Sequence, residues 1–267
     1  MDTRPIGIFD SGLGGVSTLR QALHLLPDET FVYYGDNDNA PYGSRSEDDI
    51  RILSQNAVRF LISKNVKAIL LACNTSTAAA FEMLQRISPV PVIGIEPAIL
   101  EASQLAGSGR ILMMSTQATA RLPRYHRLRE RLPDPSRVID VPCSAQFVWR
   151  VEHGVSSMDG YDDLFEAALA TYHDEQVDAI VLGCTHYLFF QLQLARYAQK
   201  HFHGVPLFFD GGRAAAQALL CTLKDSGALN PDGQGDVTFF TSGDYDTYHT
   251  RFETLLRQPM HIDGIEL

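Results

Sequence analysis

The sequence is poor in cysteine and has no long apolar run, and each shortage excludes a class of protein. Its four cysteines, at positions 73, 143, 184 and 221, do not make a disulfide framework in a chain of 267 residues. Their spacing does not match a zinc ribbon or a redox Cys-x-x-Cys pair. No apolar run approaches the roughly 20 residues that cross a bilayer, so we expect no membrane association.

Positive charge is also scarce. The formal net charge is −10, from 32 acidic and 22 basic side chains. This balance argues against nucleic-acid binding as the main role, and any site for an anionic substrate must then supply local hydrogen-bond donors. There are only four lysines, and none follows a strand into a loop of the expected site. A Schiff-base cofactor such as pyridoxal phosphate needs such a lysine, so we expect no pyridoxal phosphate.

What is present is typical of a globular α/β enzyme. Hydrophobic residues make up 45% of the chain and charged residues 20%. The length allows two compact units or one large domain. The first strand begins almost at the N-terminus, at Pro5-Ile6-Gly7, so we expect no signal peptide and a cytoplasmic location with reduced thiols.

One stretch occurs twice and organises the rest of the chain. Residues 66–75 read Val-Lys-Ala-Ile-Leu-Leu-Ala-Cys-Asn-Thr, and residues 177–186 read Val-Asp-Ala-Ile-Val-Leu-Gly-Cys-Thr-His. A short, continuous apolar run is typical of a strand that is covered on both faces, as in a parallel sheet. Ligands of open α/β sheets bind beyond the carboxyl ends of such strands. Cys73 and Cys184 are therefore expected where chemistry takes place.

Strand and helix patterns alternate along the chain, which predicts the α/β class with right-handed crossovers. The predicted strands cover 5–10, 31–35, the two repeated runs, 91–95, 110–114, 138–141, 205–209 and 237–241. The predicted helices cover 16–26, 47–65, 76–87, 145–152, 164–172, 187–201, 213–223 and 246–257. Glu96-Pro97 breaks one strand before the fresh start at 107–109, so a domain crossing is predicted near residue 97.

Cys73 and Cys184 are the first candidates for chemistry. Each precedes a predicted helix N-terminus, where backbone N–H groups and the helix dipole favour a thiolate. Any single cysteine is alternatively a buried small hydrophobic residue, and Cys143 and Cys221 are assigned to that class. Like residues at equivalent positions of two half-chains can face each other across one cleft. That arrangement suits a reaction on two opposite faces of one substrate.

Asp10 and His186 are the candidate partners of the thiols. Asp10 ends the first strand, where its carboxylate either assists a thiol or only forms an Asx turn. His186 is an acid/base or charge partner of Cys184, or it only begins a helix. The loop 12–15, Gly-Leu-Gly-Gly, resembles a dinucleotide loop but lacks its last glycine, which disfavours cofactor binding. His186, His201 and His203 lack the usual zinc spacing, so no metal site is predicted.

Four stretches together resemble the glutamate racemases, in the order and spacing of that family. They are 6–15 (Ile-Gly-Ile-Phe-Asp-Ser-Gly-Leu-Gly-Gly), 41–43 (Pro-Tyr-Gly), 73–75 (Cys-Asn-Thr) and 182–187 (Leu-Gly-Cys-Thr-His-Tyr). The resemblance implies cofactor-independent interconversion of L- and D-glutamate, with D-glutamate passing into peptidoglycan. It implies that Cys73 deprotonates D-glutamate and Cys184 deprotonates L-glutamate, with Asp10 and His186 assisting.

The same resemblance implies the substrate contacts and the architecture. The implied contacts are Asp10, Ser11, Tyr42, Gly43, Asn74, Thr75, Thr185 and His186. Glu152 matches a glutamate that lies near the cleft in the family. The implied fold has two pseudo-symmetric α/β domains, each a mostly parallel sheet flanked by helices, with the active site in the cleft between them. The first domain would comprise residues 1–97 plus 207–267 and the second 98–206, and the family expectation is a homodimer.

Departures from the family pattern lie beside the motifs and leave the thiols untouched. They are Ser76-Thr77, Ser115-Thr116-Gln117 and Asp210-Gly211-Gly212, and they bear on fine substrate contacts rather than on the reaction. Two alternatives stay open. One is an aspartate-type racemase of the same superfamily, and the other is a non-catalytic relative that binds DNA gyrase. No long arm precedes Ile6, which disfavours gyrase binding, and no direct contact with nucleic acid is expected.

Overall fold

The computed structural model describes residues 1–154, 159–231 and 233–258, with the backbone of 261–262 and 265–266. These residues form two parallel sheets flanked by helices, which confirms the predicted α/β fold class. At the C-terminal end, β10 (His261–Ile262) and β11 (Ile265–Glu266) form a separate antiparallel pair. No helix in the described part of the chain has both the length and the apolar character needed to cross a membrane.

The first sheet has five parallel strands in the order β4-β3-β1-β2-β9. They are β1 (Ile6–Asp10), β2 (Phe31–Gly35), β3 (Ala68–Leu71), β4 (Val92–Gly94) and β9 (Val237–Thr241). Its helices are α1 (Val16–Leu25), α2 (Glu47–Ser63), α3 (Asn74–Ile87), α10 (Gly212–Asp225) and α11 (Tyr245–Arg257). Every residue of β1 and β3 is buried, as expected for strands that helices cover on both faces.

The second sheet has four parallel strands in the order β6-β5-β7-β8. They are β5 (Arg110–Thr116), β6 (Val138–Cys143), β7 (Val177–Leu182) and β8 (Leu207–Phe209). The helices of this half are α4 (Ile99–Leu105), α5 (Gln117–Arg121), α6 (Pro123–Arg129), α7 (Gln146–Glu152), α8 (Asp162–Leu169) and α9 (Gln191–His201). Because β8 pairs with β7, residues 207–209 belong to the second sheet, just beyond the predicted crossing at 206. The division into domains otherwise stays a prediction.

One predicted helix is partly wrong. Residues 187–201 were expected to form a single helix, but Thr185–Phe190 is a 3₁₀ segment and α9 begins only at Gln191. All six residues of the 3₁₀ segment are buried, and Tyr187 and Phe190 pack against Phe147. The tighter 3₁₀ turn places consecutive large side chains in the core on several sides of the chain.

A continuous hydrophobic core joins the two halves. One cluster of buried side chains includes Leu13 and Val16 from the first half, and Met114, Leu182 and Tyr187 from the second. The loop after β1 therefore packs directly against the second sheet. This contact places the carboxyl end of β1 next to the carboxyl end of β7.

Candidate active site

The two predicted thiols follow two strands, one in each sheet. Cys73 follows β3 and caps α3, where its Sγ accepts a hydrogen bond from the Ser76 N–H at 3.4 Å. Cys184 follows β7 and begins the 3₁₀ segment Thr185–Phe190. Only 5% of Cys73 and 7% of Cys184 is exposed. Each half of the chain thus delivers one buried thiol to the boundary between the sheets.

The surroundings of Cys73 keep its sulfur protonated. The pKa of the Cys73 thiol is raised to about 12, first by burial and then by the nearby Asp10 carboxylate and Cys184, which together outweigh the hydrogen bonds that lower it. One of these bonds joins Cys73 Sγ to Ser11 Oγ at 3.5 Å. Near neutral pH, Cys73 is therefore a thiol that can donate a proton.

Cys184 has a different partner, the imidazole of His186. Its Sγ lies 3.7 Å from His186 Nδ1, and His186 Nε2 lies 2.7 Å from Glu152 Oε1. Burial lowers the pKa of His186, but the contacts with Cys184 and Glu152 outweigh it, so that the pKa lies well above its usual value. A charged imidazolium beside Sγ stabilises negative charge on that sulfur. The two thiols therefore have opposite surroundings.

Asp10 links the two halves beneath the thiols. Its Oδ1 accepts the Gly12 N–H at 2.9 Å, and its Oδ2 accepts the Thr185 hydroxyl at 3.1 Å. Burial raises the pKa of Asp10 above its usual value, although the charge of His186 and these hydrogen bonds oppose the rise. The carboxylate thus holds Thr185, the neighbour of Cys184, and its charge acts on Cys73.

Glu152 is the central acceptor of the site. Its Oε1 accepts the Leu13 N–H at 2.6 Å as well as facing His186, and its Oε2 accepts Asn37 Nδ2–H at 3.0 Å. The motifs alone gave no signal for Glu152, since its backbone partner at Leu13 is 139 residues away in sequence. The resemblance to the racemases did place it near the cleft. The structure shows that it orients the imidazole next to Cys184.

Two glycines in the loop after β1 explain the resemblance to a dinucleotide loop. A Cβ on Gly12 would collide with the Glu152 carboxylate, and a Cβ on Gly14 would collide with the His186 ring and the Thr185 hydroxyl. Glycine is therefore required for the close approach of the backbone to these side chains. In this chain the loop packs against Glu152 and His186.

The remaining predicted contacts lie around Cys73. Thr75 Oγ1 lies 2.9 Å from Thr116 Oγ1 and 3.1 Å from Thr119 Oγ1, so it joins α3 to the second half. Gly43 packs against Thr116, leaving no room for a Cβ. The Tyr42 hydroxyl donates to Asp36 Oδ2 at 2.5 Å. Thr75 and Gly43 therefore both contact residues of the second half and help to hold the two halves together.

The side-chain amide of Asn74 is available to bind a ligand. Its Oδ1 is buried and has no hydrogen-bond partner among the described residues. An unpartnered buried amide is costly, so a ligand that bonds to it gains affinity. Ser11 is also buried, beside Cys73. These polar groups lie around the thiol, where the sequence predicted substrate contacts.

Both thiols are almost fully buried. A cavity of about 70 Å³ lies at the boundary of the two halves, lined in part by Pro41, Gly43, Thr116, Cys143 and Tyr187. His201 ends α9 and stacks on His173, whereas His186 lies before α9 and contacts Glu152. The structure therefore does not bring His186 and His201 together. With at most 7% of either thiol exposed, we expect a substrate to reach them when the halves separate.

Comparison with known proteins agrees with this geometry. Residues 11–219 match the family model of the Asp/Glu/Hydantoin racemases. A glutamate racemase of Clostridium botulinum (strain Alaska E43 / Type E3) is 37% identical over 241 residues, covering 90% of this chain and 92% of the relative. The chain therefore belongs to the Asp/Glu/hydantoin racemase family and is an amino-acid racemase, as the resemblance to the glutamate racemases implied.

Solved structures show the same fold. A glutamate racemase of Francisella tularensis, solved in complex with D-glutamate, has a TM-score of 0.82 at 28% identity and covers 97% of this chain and 95% of that one. The Escherichia coli glutamate racemase, in complex with L-glutamate and the activator UDP-MurNAc-ala, has a TM-score of 0.78 at 27% identity and covers 95% of each chain.

Proposed function

We propose that this chain interconverts L- and D-glutamate by proton transfer at Cys73 and Cys184, without a cofactor, and so supplies D-glutamate for peptidoglycan in the cytoplasm. The observation that carries the proposal is the pair of buried thiols, one from each half of the chain, with opposite electrostatic surroundings. The similarity to glutamate racemases, two of them solved with glutamate, supports the choice of substrate.

The protons move between the substrate and two sulfur atoms. In the L-to-D direction, the Cys184 thiolate takes the α-proton from one face while the Cys73 thiol delivers its proton to the opposite face. Cys184 ends as a thiol and Cys73 as a thiolate, and the D-to-L reaction reverses both steps. The His186 imidazole lies 3.7 Å from Cys184 Sγ, and the high pKa of the Cys73 thiol makes its thiolate a strong base.

The α-proton of an amino acid is weakly acidic, so the carbanionic transition state needs fixed hydrogen-bond donors in a dry site. The chain has such donors in the first turn of α3, which begins at Asn74, and in the side chains of Ser11, Asn74 and Thr75. Backbone N–H groups at a helix N-terminus bind carboxylates without bulk positive charge, which suits a protein of net charge −10.

Proton NMR in deuterated water tests the proposal. L-glutamate incubated with the protein, without added cofactor, should lose its α-proton signal while D-glutamate appears in a chiral assay. Exchange with aspartate and not with glutamate would move the chain to the aspartate-type racemases. Exchange with neither would contradict the proposal.

Cysteine variants test the two sulfur atoms. Cys73→Ala and Cys184→Ala should each lose racemisation by about 10³-fold or more, because each removes one of two required acid/base groups. Cys221→Ala is the matched control, since Cys221 is exposed on α10 and should retain full activity. Full activity in both of the first two variants would exclude the two-thiol mechanism.

A further inference from the structure

Three potential metal ligands meet on the outer surface of the second half, away from the thiols. They are Glu166 of α8, His173 in the turn before β7, and His201 at the end of α9. One ligand atom from each lies within 4.8 Å of the other two. His173 Nε2 is 3.6 Å from Glu166 Oε2. Donors around a tetrahedral ion with bonds of about 2.0–2.1 Å lie about 3.3 Å apart, so this pair needs little movement.

The backbone holds the two histidines in place. The Asp174 N–H donates to the His201 carbonyl at 2.9 Å, and the His203 N–H donates to the Glu175 carbonyl at 2.9 Å. Asp174 has a left-handed φ of 61°, which turns the chain sharply after His173. The His173 and His201 rings stack with centroids 4.3 Å apart. The backbone positions of the two histidines are therefore fixed relative to each other before any ion binds.

A tyrosine completes the cluster. Tyr197 Oη donates to Glu166 Oε2 at 2.8 Å and lies 2.8 Å from His173 Nε2. It thus holds the carboxylate and the imidazole on either side of one point. An ion bound between Glu166 Oε2 and His173 Nε2 would replace a hydrogen bond of Tyr197 Oη by bonds from the ion to the carboxylate and the imidazole. The Tyr197 hydroxyl would then lie next to the ion.

The charge and shape of the neighbouring surface favour a cation. A cavity of about 440 Å³ opens beside the cluster and is lined by Glu166, Tyr197 and His201. Its other lining side chains are Asp159, Asp162, Asp163, Gln193, Arg196 and Lys200. Four carboxylates therefore face two basic groups, and one carboxylate, Asp163, is already paired with Arg150 at 2.6 Å. The cavity gives an ion an open route to Glu166 and His201.

We propose that Glu166, His173 and His201 form a binding site for a divalent transition-metal ion of the zinc type. Two imidazoles with one carboxylate are ligands that suit Zn²⁺, whereas Mg²⁺ and Ca²⁺ prefer oxygen ligands alone. A bound ion would clamp α8, the turn before β7 and the end of α9 together. It would therefore stabilise the second half, and the inference is independent of the substrate assigned to the thiols.

Calorimetric titration of the full-length protein with ZnCl₂ tests the site. The wild type should bind one Zn²⁺ that is lost in His173→Ala and in His201→Ala, each raising the Kd by at least about tenfold, since even outer partners of a metal site contribute that much. His203→Ala is the matched control, because His203 is exposed two residues away and lies outside the cluster. It should bind as the wild type does, and MgCl₂ should give no comparable heat.

Cobalt separates this site from the cysteines. Co²⁺ at Glu166, His173 and His201 should give weak visible bands without the intense near-ultraviolet charge-transfer band of a cobalt thiolate. Zn²⁺ should also raise the melting temperature of the wild type and of His203→Ala, but not of His201→Ala. Equal Zn²⁺ binding by wild type and His201→Ala, binding only with a thiolate band, or no binding to the wild type would each overturn the proposal.

Discussion

At the scale of single residues, the site depends on buried charges that are shared between the two halves of the chain. Asp10, Glu152 and His186 are all buried. Asp10 and Glu152 each bond to an atom of the other half, and His186 bonds to Glu152. A buried charge is tolerated only when it is paired and hydrogen-bonded. The protonation of His186 should therefore be visible in the stability of the whole protein.

The pKa of His186 is raised well above its usual value, so the folded chain keeps this proton to a higher pH than the unfolded chain does. The resulting stabilisation is fully present below about pH 6.5, the pKa in the unfolded chain, and is lost as the pH rises through the folded pKa. The difference in unfolding free energy between wild type and His186→Gln should therefore shrink between about pH 6.5 and 8, by up to about 1.4 kcal/mol per pH unit.

Urea denaturation at several pH values measures this difference. Glu152→Gln keeps the size of the side chain but removes the charge that faces His186 Nε2, and it should reduce the slope as well. A difference between wild type and His186→Gln that is constant or grows with pH would contradict the assignment of a protonated His186.

Much of the site at this scale was predictable from short motifs. Cys73 and Cys184 end repeated strands, while Asp10 and His186 adjoin the same strand ends, so local patterns located all four. In the sequence, Thr116 stands out only as a departure from the family pattern, because its role depends on Thr75, 41 residues away. The function of Glu152 likewise depends on a contact across the whole fold. Contacts between residues so far apart in the chain produce no repeating pattern in the sequence, so they cannot be predicted from it.

At the scale of elements, the site consists of turns that connect strand ends to helices. The long, regular elements were predictable because their apolar residues repeat over several turns or fill a whole strand. The short helices α4, α5 and α6, of seven, five and seven residues, were missed. A helix of one or two turns shows too few periods, and α5 is defined by its cap, where Thr116 Oγ1 accepts the Thr119 N–H at 3.1 Å.

Two buried threonines on α3 allow the contribution of a hydrogen bond between the halves to be measured separately from the effect of burying a hydroxyl. Thr75 and Thr77 are both buried, but Thr75 bonds to Thr116 and Thr119 of the second half, whereas Thr77 Oγ1 has no partner among the described residues. Thr75→Val should lower the free energy of unfolding by about 1–3 kcal/mol, because it leaves two buried hydroxyls with fewer partners.

Thr77→Val is the matched control on the same helix. It removes a buried hydroxyl that has no partner among the described residues, so its unfolding free energy should stay within about 0.5 kcal/mol of the wild type or rise. Chemical denaturation of both variants gives the comparison. Equal losses in the two variants would mean that the threonine contact between the halves adds nothing to stability.

At the scale of the whole molecule, we expect access to the thiols to depend on separation of the two halves, because each thiol is at most 7% exposed. The hydrophobic core runs through both, and polar contacts at Thr75, Asp10 and Glu152 cross the boundary. A fourth contact lies at the outer edge, where Arg124 of α6 reaches the first half. Because its partners lie 42 and 28 residues away in the sequence, no motif indicates this contact.

Arg124 holds this edge closed. Its guanidinium pairs with Glu82 of α3 at 2.8 Å and with Glu96 at 2.6 Å, and it stacks on the Phe81 ring at 4.2 Å. Arg127 also pairs with Glu82, at 3.0 Å, but its side chain is 60% exposed, against 21% for Arg124. Exposed ion pairs contribute little to stability, whereas a half-buried pair with ring stacking contributes about 1 kcal/mol.

Arg124→Ala should therefore increase the rate at which a thiol reagent labels Cys73 and Cys184 by about fivefold, the factor that corresponds to about 1 kcal/mol of opening free energy. Arg127→Ala should label at the wild-type rate, since it removes only the exposed pair. Mass spectrometry of labelled peptides distinguishes these thiols from Cys221, which is exposed and should react rapidly in every variant. Equal rates in Arg124→Ala and wild type would show that the thiols become accessible by a motion that leaves this edge intact.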